Sequence, residues 1–201
     1  GITNLNSSLR RVCVFCGSNP GAREAYALAA QNLAGALARR GLELVYGGGN
    51  VGMMGILADA MMQAGGCVIG VIPRALVEKE VAHRGITQLR IVETMHQRKA
   101  MMNELSDAFI ALPGGFGTLE ELFEILTWAQ LGIHGKPSAI LNVAGYYDSL
   151  MAMLDYAVAE RFLRPAHREL VIIGSDAEAM LQRLEEFTLR GNRLGLQGNF
   201  S

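Results

Sequence analysis

Short apolar runs alternate with longer helix-periodic runs along the whole chain, and this alternation constrains the fold more than any other feature. It predicts strands at 11–16, 43–46, 67–72, 88–92, 107–112, 138–142 and 170–173. Helices are expected at 22–40, 52–64, 94–105, 118–131, 146–160 and 176–187. Most strand runs are apolar throughout, as in parallel strands covered on both faces. The pattern therefore reads as an α/β fold: a Rossmann-like, doubly wound parallel sheet with helices on both faces, in a single domain. That domain is expected over 10–190. Residues 1–9 are polar and patternless, an expression remnant or a frayed end, and 191–201 read as a tail. Of the 201 residues half are hydrophobic and 18% are charged, so a sizeable core is available.

Ligands of such sheets bind beyond the strand C-termini. Three strand-to-helix turns should share that edge: Cys16-Gly17-Ser18-Asn19-Pro20-Gly21, Gly47-Gly48-Gly49-Asn50-Val51-Gly52 and Pro113-Gly114-Gly115-Phe116-Gly117-Thr118. The third continues into Leu119-Glu120-Glu121 and opens a helix. Glycines there let backbone approach a ligand. The first helical N–H groups carry partial positive charge, which makes an anion site, most often for phosphate. A carboxylate beside a phosphate cradle would repel the phosphate, so Glu120 and Glu121 call for another role. The Gly47, Gly49 and Gly52 spacing fits G-x-G-x-x-G, but a dinucleotide fold also needs an acidic residue about 20 positions on. Ala60 to Val77 contains none. No G-x-x-x-x-G-K-[ST] motif is present either.

Arg98 falls on the inward stripe of its helix with Met95, Met102 and Leu105. An inward arginine needs an anion: either a ligand or a neighbouring carboxylate in a structural ion pair. Lys99 reads by default as a solvated lysine. Thr118-Leu119-Glu120-Glu121 also fits a capping box, in which Glu121 would reach back to the Thr118 N–H. The capping and catalytic readings of Glu121 are not exclusive. Pro73 to Thr87 is long for a connection in this fold, and loops of that length are often functional.

Other classes find little support. A net charge of −1 leaves no electrostatic footprint for nucleic acid. No apolar run reaches the ~18 residues of a membrane span, and no secretory leader is visible, so a cytoplasmic protein is expected. Cys13 and Cys16 are spaced C-x-x-C but lie on a strand, where positions three apart face opposite sides, so a buried structural role is expected. The histidines show no ligand spacing, and neither a metal nor a cofactor is expected.

The residues Met95-His-Gln-Arg-Lys99, then Pro113-Gly-Gly-Phe-Gly-Thr-Leu-Glu-Glu121, then Trp128-Ala-Gln-Leu-Gly-Ile-His-Gly-Lys-Pro137, resemble the LOG (Lonely Guy) family. The likeness runs from Val12 to about Phe187 and includes the Cys16-Gly17-Ser18 turn and Val45-Tyr46-Gly47-Gly48-Gly49. It implies a cytokinin riboside 5′-monophosphate phosphoribohydrolase, which hydrolyses the N-glycosidic bond of an N6-modified AMP to free base and ribose 5-phosphate. It also implies a catalytic pair at Arg98 and Glu121. Substrate contacts would come from Glu80, Arg98, Lys99, Gly115, Phe116, Gly117, Thr118, Leu119, Glu120 and Glu121. Arg98 would serve either the phosphate or the leaving base. The family was long labelled lysine decarboxylase. That chemistry normally needs pyridoxal phosphate on a lysine, and Lys79, Lys99 and Lys136 sit in no recognisable cofactor motif. A non-catalytic AMP-binding module is the alternative on the same fold.

The resemblance further implies a homodimer with the cleft near its interface. The apolar excess of helix 52–64 (Met53, Met54, Leu57, Met61, Met62) and of helix 146–160 (Tyr147, Leu150, Met151, Leu154, Tyr156) could face a partner. A thicker core beneath these helices is the alternative.

Overall fold

The structure is a computed structural model describing residues 9–197, with 192–197 described by backbone only. Seven parallel strands form one sheet: β1 (Arg11–Phe15), β2 (Glu43–Tyr46), β3 (Val68–Pro73), β4 (Gln88–Val92), β5 (Ala108–Ala111), β6 (Ser138–Leu141) and β7 (Val171–Gly174). Their order is β4-β3-β2-β1-β5-β6-β7. The helices are α1 (Glu24–Arg39), α2 (Gly52–Gln63), α3 (Met95–Leu105), α4 (Phe116–Gln130), α5 (Asp148–Ala159), α6 (Pro165–Arg168) and α7 (Ala177–Gln197). The doubly wound α/β expectation holds.

Alternation along each strand divides the core into two layers. Val12 and Val14 of β1 join Leu44, Ile110, Leu37, Leu57 and Leu184 on the face covered by α1, α2 and α7. Cys13 and Phe15 point the other way, to Val45, Phe109, Met102 and Ile125 under α3 and α4. A second cluster on that side, with Leu122, Ile140 and Met151, seats α5. In α2, Met53, Leu57 and Met61 recur every four residues and are no more than 1% exposed. Each contributes roughly 1.5–3 kcal/mol by burial.

Several expectations need correction. Met53, Met54, Leu57 and Met61 belong to the core, so the apolar excess of α2 is the thicker core and not a surface for a partner. Leu9 is also buried in that layer, so the patternless segment ends before it; residues 1–8 lie outside the described residues. The last helix runs through Gln197, well past the expected end at 187. Gly191 and Gly195 lie inside it, since an interior glycine costs a helix only about 1 kcal/mol and does not end it. The expected tail is therefore helical as far as 197, and 198–201 lie outside the described residues. The short α6, with Pro165 at its first turn, was not anticipated.

Candidate active site

The chain winds outward from β1 through β2 and β3 to β4, and α3 then carries it back to β5 beside β1. The β1/β5 boundary is thus the switch point where a doubly wound sheet opens a crevice. The turns leaving these two strands meet there, the Gly17 N–H donating to the Pro113 carbonyl at 3.2 Å. A cleft of about 460 Å³ lies over them. Residues from all three glycine-bearing turns line it, as expected from their common edge, and so do Glu80, Arg98, Glu120 and Glu121.

Helix α4 begins at Phe116 behind an N-cap glycine, Gly115, with no side-chain cap. Its first turn closes with the Leu119 N–H on the Gly115 carbonyl at 3.1 Å. The N–H groups of Phe116, Gly117 and Thr118 precede that bond and border the cleft, which makes an anion cradle. A Cβ at Gly114 would overlap the Thr118 hydroxyl, so the glycine lets Thr118 sit buried under the cradle. The capping box expected at Thr118 and Glu121 is absent, because Thr118 is the third helical residue and not the cap. Glu121 is thereby released from the capping role. The capping box of this molecule is at α3, where the Gln97 N–H donates to Thr94 Oγ1 at 3.1 Å and Gln97 Oε1 accepts from the Thr94 N–H.

Arg98 is 4% exposed. Its Nε donates to the Val71 carbonyl at 2.9 Å, and Nη2 donates both to the Gly47 carbonyl and to Glu80 Oε2, the latter at 2.8 Å. Arg98 and Met102 face inward as expected, whereas Met95 is 44% exposed, and the anion that Arg98 meets within the protein is Glu80. The structural pair and the cleft position coexist. This also accounts for two glycines of the run of three. A Cβ at Gly47 would overlap Arg98 Nη2, and one at Gly49 would lie 3.0 Å from the Glu80 carbonyl. Gly47 and Gly49 make room for Arg98 and for the loop carrying Glu80.

Glu121 lies on the second turn of α4, half-buried and facing the cleft. Burial pushes its carboxyl up to about 7, with the Glu120 and Glu80 charges adding and Arg98 and Lys99 opposing. A carboxylate placed to change charge near neutrality is suited to acid–base or electrostatic work.

The remaining expected contacts divide. Gly115, Phe116, Gly117, Thr118 and Glu120 border the cleft, with Phe116 standing 95% exposed at its rim. Lys99 and Leu119 do not line it. Lys99 is no solvated lysine: Nζ pairs with Glu120 and with Glu124, the latter at 2.9 Å. Leu119 packs toward α5. None of the chain's three lysines lines the cleft. Lys136 instead donates to the Asn103 carbonyl at 2.6 Å, and Lys79 is on the surface. Cys13 and Cys16 take opposite faces, and burial raises both thiols. No group of side chains suited to a metal occurs among the described residues.

Sequence reasoning missed Tyr26, Tyr146, Met53, Met54 and Met95 in the cleft wall. Tyr146 donates to the Gly114 carbonyl, and Tyr147 donates to the Leu112 carbonyl at 2.6 Å, so the pair fixes the turn feeding α4. The only available signal was two adjacent tyrosines before a helix, which by itself names no partner.

A family model described as "Possible lysine decarboxylase" matches residues 54–184. A probable cytokinin riboside 5′-monophosphate phosphoribohydrolase of Oryza sativa subsp. japonica, LOGL9, is 53% identical over 181 residues, 90% of this chain and 80% of its own. LOG3 of Arabidopsis thaliana, a cytokinin riboside 5′-monophosphate phosphoribohydrolase, is 50% identical over 187 residues, 93% of this chain and 87% of its own. Among solved structures, a molybdenum cofactor binding protein from Rippkaea orientalis superimposes with a TM-score of 0.66 at 22% identity, covering 90% of this chain and 98% of that one. DNA processing protein A of Streptococcus pneumoniae gives 0.57 at 14% identity, over 88% and 62%. These two share the fold alone. With half its residues identical to the plant enzymes over nine tenths of its length, the chain belongs to the LOG family of cytokinin riboside 5′-monophosphate phosphoribohydrolases.

Proposed function

We infer that the chain hydrolyses the N-glycosidic bond of a cytokinin nucleotide, an N6-modified AMP, releasing the base and ribose 5-phosphate. Its homologues carry the name of that activity. The observation that carries the reading is the position of Glu121 one turn past an anion cradle on the same helix. Four residues of helix advance about 6 Å, the span of a ribose with its 5′-carbon. A 5′-phosphate held at Gly115–Thr118 thus brings C1′ beside Glu121.

Cleavage of the C1′–N bond leaves its electrons on the base and positive charge on the sugar. The Glu121 carboxylate stabilises that charge and takes a proton from the water that attacks C1′. The phosphate is remote from the broken bond, and its binding energy positions the sugar. Arg98 is anchored to β2 and β3, whereas the cradle stands between β1 and β5. Arg98 therefore serves the leaving base, with Glu80 holding the guanidinium in place. The cleft has no lysine for a Schiff base, which argues against decarboxylation by pyridoxal phosphate.

The assembly proposed is a homodimer. Support from α2 is withdrawn, but other apolar side chains stand out on elements flanking the cleft: Met95 at 44%, Phe116 at 95%, Leu131 at 65% and Ile133 at 62% exposure. On α5, Met153 and Tyr156 are exposed as well. No helix among the described residues is long and apolar enough to cross a membrane.

The test is incubation with AMP and with N6-isopentenyl-AMP, followed by chromatography for free base and ribose 5-phosphate. Release of both products is expected. Binding of either nucleotide without release would leave a nucleotide-binding module.

A further inference from the structure

Glu80 reaches the cleft from the long connection between β3 and β4, and that connection is held in place by bonds that sequence patterning does not reveal. It folds over the turn leaving β2. The Asn50 N–H donates to the Glu80 and Val81 carbonyls at 3.0 and 2.8 Å, and the His83 N–H donates to the Gly48 carbonyl at 2.8 Å. Val81, the residue after Glu80, has φ +49°. That region is costly for any residue with a Cβ, and more so for a β-branched one, so it persists only where neighbouring contacts impose it. Besides these backbone bonds to the β2 turn, a side-chain pair ties the segment to α2. His83 Nδ1 accepts the Gly85 N–H at 3.1 Å, which places the ring proton on Nε2. Nε2 then donates to Asp59 Oδ1 on α2 at 2.6 Å. The His83 side chain is 11% exposed, whereas its partner Asp59 stands 56% exposed on α2.

We propose that His83 and Asp59 form a latch that positions the catalytic arginine: by fastening the strained Glu80–His83 segment to α2, they keep Glu80 on Arg98. Neither residue lines the cleft, so both act through Glu80. With the latch open, Val81 relaxes toward negative φ and Glu80 swings away. Arg98 then keeps its carbonyl contacts but loses the carboxylate that orients Nη2. The kinetic part rests on the proposed glycosidase reaction; the structural part does not.

The experiment compares His83→Ala, Asp59→Ala and the double variant Val81→Gly/His83→Ala with wild type. The readouts are kcat and KM for N6-isopentenyl-AMP and amide hydrogen exchange at Asn50 and His83. Either single variant is expected to lose on the order of tenfold in kcat, as misplacement of a positioned group does. KM should change little, and exchange at both amides should be faster. Glycine adopts φ +49° without strain, so Val81→Gly should restore most of the kcat lost in His83→Ala. A purely structural role would lower the melting temperature without this rescue. Asp59 is 56% exposed on its helix, so its variant folds even where the histidine variant does not. Wild-type kcat in Asp59→Ala, unchanged exchange, or a Val81→Gly change that deepens the loss would each overturn the latch. Absence of base release by wild type would instead overturn the reaction, and exchange would still report on the latch.

Discussion

At the scale of single residues, the proposed chemistry rests on two charged side chains, Glu121 and Arg98, whose surroundings differ. Glu121 has no capping bond to hold it, and burial raises its carboxyl from 4.5 to about 7. Glu121→Gln should lower turnover on the order of 10²-fold or more while nucleotide still binds, as measured by single-turnover base release and by titration calorimetry. The stability effect has a definite sign. The folded protein holds a proton that the unfolded chain releases, so this contribution is full below about 4.5 and is lost as pH rises through about 7. Glutamine cannot ionise. The variant should therefore be more stable than wild type above neutrality, on the order of 1–3 kcal/mol, with the gap closing toward acid in urea titrations. Activity that depends on the ionised carboxylate should rise with pH through about 7, and a kcat profile falling there instead would make Glu121 the acid. Arg98→Ala leaves Glu80 charged and half-buried without its partner. It should cost roughly 3 kcal/mol or more of stability in addition to turnover.

At the scale of elements, the site depends on how closely segments approach. In the β2 exit turn, Arg98 occupies the space of a Cβ at Gly47 and the Glu80 loop crowds one at Gly49, while Gly48 takes a φ of +78°. Gly47→Ala should displace Arg98 and lower kcat, with a loss of about 1–3 kcal/mol by overpacking. Gly135→Ala is the control, since a Cβ there meets nothing within 4 Å. Kinetics and thermal melts on the two variants check this. The third segment that carries the family resemblance, Trp128 to Pro137, serves structure away from the cleft. His134 Nδ1 accepts the Lys136 N–H at 3.0 Å, and Nε2 donates to the Ile125 carbonyl at 3.0 Å. Lys136 reaches the Asn103 carbonyl on α3. These bonds tie the end of α4 to α3, the helices that present Glu121 and Arg98.

At the scale of the whole molecule, the proposed dimer predicts a sedimenting mass about twice the 21.7 kDa of one chain at micromolar concentration in an active sample. An active monomer would remove it. The sequence by itself determined most of the architecture. Short apolar runs between helix-periodic segments marked every strand, and chain handedness then brought the three glycine turns to one edge. Arg98 was legible because one side chain out of step on an apolar stripe is visible in spacing alone. What sequence could not decide were relations between segments far apart in the chain. Spacing places Thr118 and Glu121 in a capping box, but the start of α4 is set by the turn that Gly17, Tyr146 and Tyr147 hold, which moves Thr118 into the helix. The same holds for Glu80, which is one acidic residue among several in an irregular loop. Only the packing of that loop over Gly48 and Gly49 brings it to Arg98. Periodicity reports which face of an element is buried, and tertiary contact decides what that face meets.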